Sequence, residues 1–184
     1  MAVKQFNLNN GQRAERKLLI TVAEWKEGTN VVRELLGTRT PDSSIEYNSD
    51  IETETDIRGI NYTDINRTQP QQDFDPFTVL GGSRLGALLN DIRKRNAVSE
   101  LNQFTIYVIT AFVGDATNGY EAEKHDNCTI SYNSIGGDSF VNMPITVYLS
   151  NDGLDTNGNS TGKPVTGTVD KLTKDFAFTP DVTV

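Results

Sequence analysis

Between Pro41 and Arg58 the chain reads DSSIEYNSDIETETDI, with six carboxylates (Asp42, Glu46, Asp50, Glu52, Glu54 and Asp56) and no Lys or Arg among them. Taken as extended chain, the even positions hold every acid, while the odd positions hold Ile45, Tyr47, Ser49, Ile51, Thr53, Thr55 and Ile57. The alternation predicts one packable face and one ladder of carboxylates. Same-face residues on a strand lie roughly 7 Å apart, where two unit charges repel by about 0.6 kcal/mol in water and by more against a low-dielectric wall. Such a ladder is tolerable when wet and costly when buried. Its acids suit a metal cage, a solvated surface or the lining of a water-filled passage.

The other reactive residue types are sparse. His125 and Cys128 form H-x-x-C, but the chain holds just one residue of each type, whereas a structural zinc site needs four such ligands and a thiol dyad needs an activated Cys with an orienting third group. They read as a small buried thiol and a surface imidazole. Gly81-Gly82-Ser83 resembles a phosphate loop only superficially, since GGSRLG matches neither G-x-G-x-x-G nor G-x-x-x-x-G-K-[ST] and no βαβ unit surrounds it. These glycines read as the tight turn before a capped helix. In SNDGLDTNGNSTGKP, placing Gly158 at the sixth position of a calcium loop puts Gly153 first and Pro164 twelfth, where Asp and Glu belong. Paired acids can also cleave glycosides, but that needs one carboxyl in a pocket and a second at defined separation, not a ladder. No catalytic residue, metal or cofactor is expected, and no enzymatic activity.

The elements that must position the ladder follow from patterning. A chain of 184 residues suits one domain, 1–184, with a core that needs neither disulfide nor metal. LLITVAEW (18–25) and VVRELLG (31–37) read as strands joined by a turn at Gly28-Thr29-Asn30. Two geometries are open for the acidic stretch: one strand from about 44 to 57, or a hairpin turning at Asn48-Ser49-Asp50; the whole of 41–75 reads as an extended hairpin and loop region. GINYTDINRTQPQQDFD begins as a strand and loses its alternation near Pro70. A helix over 83–97 has Ser83 as N-cap, Leu85, Leu88, Leu89 and Ile92 at i, i+3, i+4 and i+7, and Arg93, Lys94 and Arg95 in its last turns. QFTIYVITAFV (103–113) is apolar on both faces and predicts the central strand. NCTISYNSI and SFVNMPITVYL flank Gly136-Gly137-Asp138 as a hairpin, with Pro144 predicting an edge strand or a bulge. The run 150–164 predicts a flexible surface loop, and PVTGTV and DFAFTP supply closing strands. The sum is a mainly-β fold, a two-sheet sandwich or half-open barrel with one flanking helix and long loops.

Net charge is −8, from 25 acids and 17 bases, which argues against a clamp on nucleic acid but not against a surface that must release it. No apolar run has the length of a signal peptide core or a bilayer span, so synthesis and residence in the cytoplasm are expected. Cys128 alone allows no intrachain disulfide, in keeping with a reducing compartment. The Asn-x-Thr triplets at Asn61, Asn66 and Asn127 and the Asn-Ser-Thr at Asn159 read as products of an Asn- and Thr-rich composition.

The order of DSSIEYNSDIETETDIRGINYTDINRTQPQQDFDPFT, GGSRLGALLNDIRKRNAVSELNQFTIYVITAF, YEAEKHDNCTISYNSIGGDSFVNMPITV and GTVDKLTKDFAFTP resembles the tail tube (major tail) proteins of tailed bacteriophages, especially the compact form in prophages of Gram-positive hosts. The likeness runs from about 18 to 180 and is one of segment order, not of a catalytic signature. It implies hexameric rings stacked into a hollow tube, loops that reach neighbouring subunits, and strands of six subunits joined into one inner barrel. It also implies tape-measure, tail terminator and baseplate proteins as partners, DNA that passes without tight binding, no membrane, and a place in the virion tail after assembly in the host cytoplasm. In that setting Glu46, Asp50, Glu52, Glu54 and Asp56 line the lumen, each acid becomes a ring of six, and the wall repels phosphates. The competing expectations are an acidic solvated edge that prevents wrong strand pairing, and, for the molecule, a carbohydrate- or receptor-binding β-sandwich, which needs an exposed aromatic patch where the sequence offers Trp25 and scattered Tyr.

Overall fold

The apolar run from Phe104 becomes a strand flanked on both edges and covered on both faces. The computed structural model describes residues 4–181 other than 48, 56, 68 and 156, and gives only the backbone at 49–52 and 64–67. Its strands are β1 (Leu19–Glu27), β2 (Asn30–Leu35), β3 (Ile45–Glu46), β4 (Ser49–Thr55), β5 (Asn61–Arg67), β6 (Gln71–Phe74), β7 (Phe104–Asp115), β8 (Gly119–Tyr132), β9 (Ile145–Tyr148), β10 (Val165–Val169) and β11 (Phe178–Pro180), and its helix α1 is Arg84–Arg95. Strand content of 43% against 12% helix makes the fold mainly β, as the patterning predicts.

The large sheet runs β2-β1-β7-β8-β9-β6-β3, with β10 and β11 attached through β8. On β7, Phe104, Ile106 and Val108 join Ala23 and Trp25 in the main core, while Tyr107 and Ile109 join Val22 and Ala122 in a second core on the opposite face. That double burial is why no polar face interrupts the segment. β8 pairs with β10 through Tyr120–Lys124 and with β9 through Thr129–Tyr132. Between these halves its register against β7 slips, from Ile106↔His125 to Phe104↔Cys128, and Asn127 takes a left-handed backbone at φ 56. A bulge of this kind bends its strand. The bend lets one strand serve two sheet halves, which enclose Phe74, Ile130, Ile145 and Val147 in a sandwich-like arrangement, with no closed barrel among the described residues. Across the turn from β7 to β8, a Cβ on Gly114 would lie 2.1 Å from the Gly119 carbonyl oxygen, so that close approach requires glycine.

The second core is closed by the segment before β11. Phe176 packs edge-on against Tyr107 at 5.0 Å between ring centroids, and the Arg33 guanidinium lies 4.3 Å above the Phe176 ring while pairing with Glu24 at 2.6 Å. Burial pushes the Tyr107 hydroxyl well above the usual tyrosine range.

Helix α1 starts at Ser83, whose hydroxyl accepts from Gly86 N–H at 3.0 Å. The Glu34 carboxylate of β2 also accepts from the N–H groups of Arg84 (2.8 Å) and Leu85 (3.0 Å), so an acid sits on the positive end of the helix. Leu85, Leu89 and Ile92 are fully buried and Leu88 is half-buried against the main core. The helix ends on Asn96 at φ 53, and Arg95 in the last turn pairs with Asp91 and Glu100.

Several expectations are corrected. Pro144 lies on neither an edge strand nor a bulge: β9 starts after it and is interior, between β8 and β6. Where an extended loop was expected past Pro70, β6 pairs with β9 and β3 and buries Gln72 and Phe74. Gln72 is a polar residue in a core position: its amide oxygen accepts from Thr21 Oγ1 at 2.8 Å across the two halves, while its Nε2 is buried without a partner among the described residues. The β1–β2 turn is Gly28-Thr29 alone, since Asn30 already pairs with Glu27. The run 150–164 is not a bare loop but is knitted by Asp152 and Asp155, as described below.

Candidate functional site

The acidic stretch resolves into two pieces. Ile45–Glu46 forms β3 at the sheet edge, where Glu46 pairs in register with Gln71 and is exposed. β4 then leaves the sandwich and pairs with β5 as a separate two-stranded ribbon, from Ser49↔Arg67 to Thr55↔Asn61. Neither open geometry for 44–57 is realised: the pairing breaks after Glu46, and the hairpin turns beyond Thr55, around Gly59 at φ 77. The strand signals were present, since Thr, Ile and Tyr alternate on both arms. Asn48-Ser49-Asp50 carries good turn chemistry, but the long ladder formed across Gly59 provides more backbone hydrogen bonds than a turn at 48–50 allows.

In this ribbon Asp50 lies opposite Asn66, Glu52 opposite Asp64 and Glu54 opposite Tyr62. In register, then, the β4 acids face Asn66, Asp64 and Tyr62 across the ladder. Two carboxylates directly across from each other destabilise a strand pair unless solvent screens them. The structure thus brings Asp50, Glu52 and Glu54 together on one strand, leaves Glu46 on another, and Asp56 lies outside the described residues. The packed odd face is also corrected for the outer half: Thr53, Thr55 and Ile57 are exposed, as are Asn61, Tyr62 and Thr63 on the partner arm. Beside the backbone ladder, this half has threonine and asparagine contacts, Thr55 Oγ1 donating to Asn61 Oδ1 at 2.7 Å and Thr53 Oγ1 lying 3.4 Å from Thr63 Oγ1.

The remaining sequence candidates are engaged by the chain itself. His125 is buried, which corrects the surface imidazole; its Nδ1 lies 2.7 Å from the Ser150 carbonyl oxygen and so carries the proton. Cys128 accepts from Ser150 N–H at 3.3 Å, and burial pushes its thiol up to about 11, far from an activated thiolate. At Gly81-Gly82-Ser83 the anion position on the helix end is filled by Glu34, a residue with no sequence signal for that role. In 150–164, Asp152 accepts from Ser160 Oγ at 2.7 Å and from the N–H groups of Gly153 and Gly162, and Asp155 accepts from the N–H groups of Asn157 and Asn159. These bonds, with the Ser160 hydroxyl foremost for Asp152 and the Asn159 amide foremost for Asp155, hold both acids below the usual aspartate range. A groove of about 510 Å³ beside α1, lined in part by Trp25, Leu88 and Phe104, holds Lys26 and three paired acids: Glu24 with Arg33, Asp126 with Lys124, Glu100 with Arg95.

Comparison with protein-family models, with curated proteins and with solved structures finds no match for this chain. Among the described residues no group of three or more His, Cys, Asp or Glu is placed to hold a metal ion, and no helix is long and apolar enough to cross a membrane. The ribbon is the feature whose exposure and charge the fold itself does not use.

Proposed function

We propose that this chain is a tail tube protein, a structural virion subunit that forms hexameric rings stacked into a tube with an acidic lumen. The observation that carries the reading is the β4–β5 ribbon: a two-stranded hairpin outside the large sheet, exposed on both sides of its outer half. An isolated two-stranded hairpin is marginal in water, so a ribbon of this length gains its stability from other copies of the chain. In a ring its acids stay hydrated, sixfold symmetry repeats each of them around the passage, and phosphates slide past without binding. Glu46, on the edge of the sandwich, continues the negative surface from a different strand. Tape-measure protein fills such a tube before DNA does, terminator and baseplate proteins close its ends, and its place is the virion tail, assembled in the host cytoplasm.

Electron microscopy of the purified protein over a range of concentration and salt tests this directly. Rings or tubes are expected. Single particles of one subunit at millimolar concentration under every salt condition overturn the reading and favour a monomeric binding module.

A further inference from the structure

Outside the ribbon, exposed apolar side chains gather where the β8–β9 connection lies against the segment before α1. Val79 N–H donates to the Val141 carbonyl at 3.0 Å, and Gly136 and Asn142 pair through both backbone groups, so the two segments form one surface. On it Val79, Ile135, Phe140 and Val141 are 39%, 43%, 69% and 52% exposed. The same surface is nearly free of charge: residues 133–144 contain Asp138 alone, and 76–83 contain none. Elsewhere, Ile57 at the ribbon turn is fully exposed and Ile60 is half-exposed beside it.

We infer that the Val79–Phe140–Val141 surface of one copy receives the ribbon turn, centred on Ile57, of a second copy. The inference rests on the self-assembly proposed above and names the surface that completes it. Charge selects the occupant and the place. Residues 49–67 hold five acids against two bases in a chain of net charge −8, so two copies repel over most of their surfaces. An acidic ribbon can approach another copy most readily where acids are few, here Asp138 alone, and an apolar turn gains most where the receiving surface is apolar too. The Val79–Phe140–Val141 surface meets both conditions.

Cysteine pairing tests it, since native Cys128 is fully buried. Ile57→Cys and Phe140→Cys are made in separate chains, mixed under assembly conditions and oxidised, with Val98→Cys, exposed on the turn after α1, as the control in place of Phe140→Cys. Disulfide-linked dimers of the Ile57 and Phe140 variants, well above the Val98 control, are the expected result. Phe140→Asp is expected to abolish polymers while leaving the thermal unfolding midpoint unchanged. Tubes that form without Ile57–Phe140 cross-links overturn this contact and leave the tube reading standing; absence of any ring or polymer in the native chain overturns both.

Discussion

Asp126 is 4% exposed, and its carboxylate accepts from Thr105 Oγ1 and Leu154 N–H while lying 2.9 Å from Lys124 Nζ. Removing it strands those donors at the bend of β8. Asp126→Ala is expected to cost about 1–3 kcal/mol for each donor left unsatisfied, read from urea denaturation. Asp152 and Asp155 act nearby through their charged forms. Both are held below their ordinary value of 3.8, so the order they give the 150–164 loop is fully present above pH 4 and is lost as pH falls through their folded values. Protection of the Gly162 and Asn159 amides, taken relative to their intrinsic exchange rate at each pH, is expected to fall on acidification before the core opens; protection that stays flat down to global unfolding contradicts this. Cys128 is expected to resist iodoacetamide at pH 8 in the folded protein and to react once unfolded, because burial raises its thiol to about 11. At this scale the sequence was a partial guide: Cys128 is the buried thiol expected, whereas His125 is buried where a surface imidazole was expected. HDNC holds the buried His125, Asp126 and Cys128 together, but nothing in four adjacent residues discloses the tertiary partners that bury them.

Helix α1 and strand β7 were legible because a single periodicity governs each, 3.6 in RLGALLNDIRKR and unbroken apolarity in FTIYVITAFV. The four helix positions are not equivalent. Leu85 and Leu89 are fully buried in the main core, so Leu89→Ala is expected to cost about 2–5 kcal/mol, whereas Leu88→Ala, half-buried, should cost clearly less. Chemical denaturation of the two variants side by side checks the ranking, and equal losses would place Leu88 in the core. β6 was not legible: QQDF has no apolar alternation, and its place in the sheet is set by pairing with β9 and β3 and by the bond from Thr21 to Gln72. The ribbon was legible as β-structure but not in its turn, because a local turn signal at 48–50 competes with a ladder that only the partner strand reveals.

For the whole molecule, the mainly-β class and its single helix follow from the count and spacing of periodic segments, while the path of β8 through both sheet halves does not, since a bulge at Asn127 leaves no pattern in sequence. The proposed passage carries its own prediction. Glu52→Gln with Glu54→Gln should leave tube formation nearly intact, because charge on the ribbon is not what holds the subunits. Glu52→Lys with Glu54→Lys should yield tubes that retain DNA, with retention falling steeply as salt rises. Charge-reversed tubes that bind no DNA at low salt would remove the acids from the wall of the passage.

β8 is held by β10 along one part of its length and by β9 along the other. A fluctuation that frees β9 and β6 must strip the same strand that anchors β10 and β7, so the two halves have one opening event between them. Protection against exchange in Tyr120–Lys124 and Thr129–Tyr132 should therefore report the same free energy, that of global unfolding. In the proposed tube, a wall of such units would have no seam between the two sheet halves of a subunit: under load those halves would hold together while contacts between neighbouring chains yield.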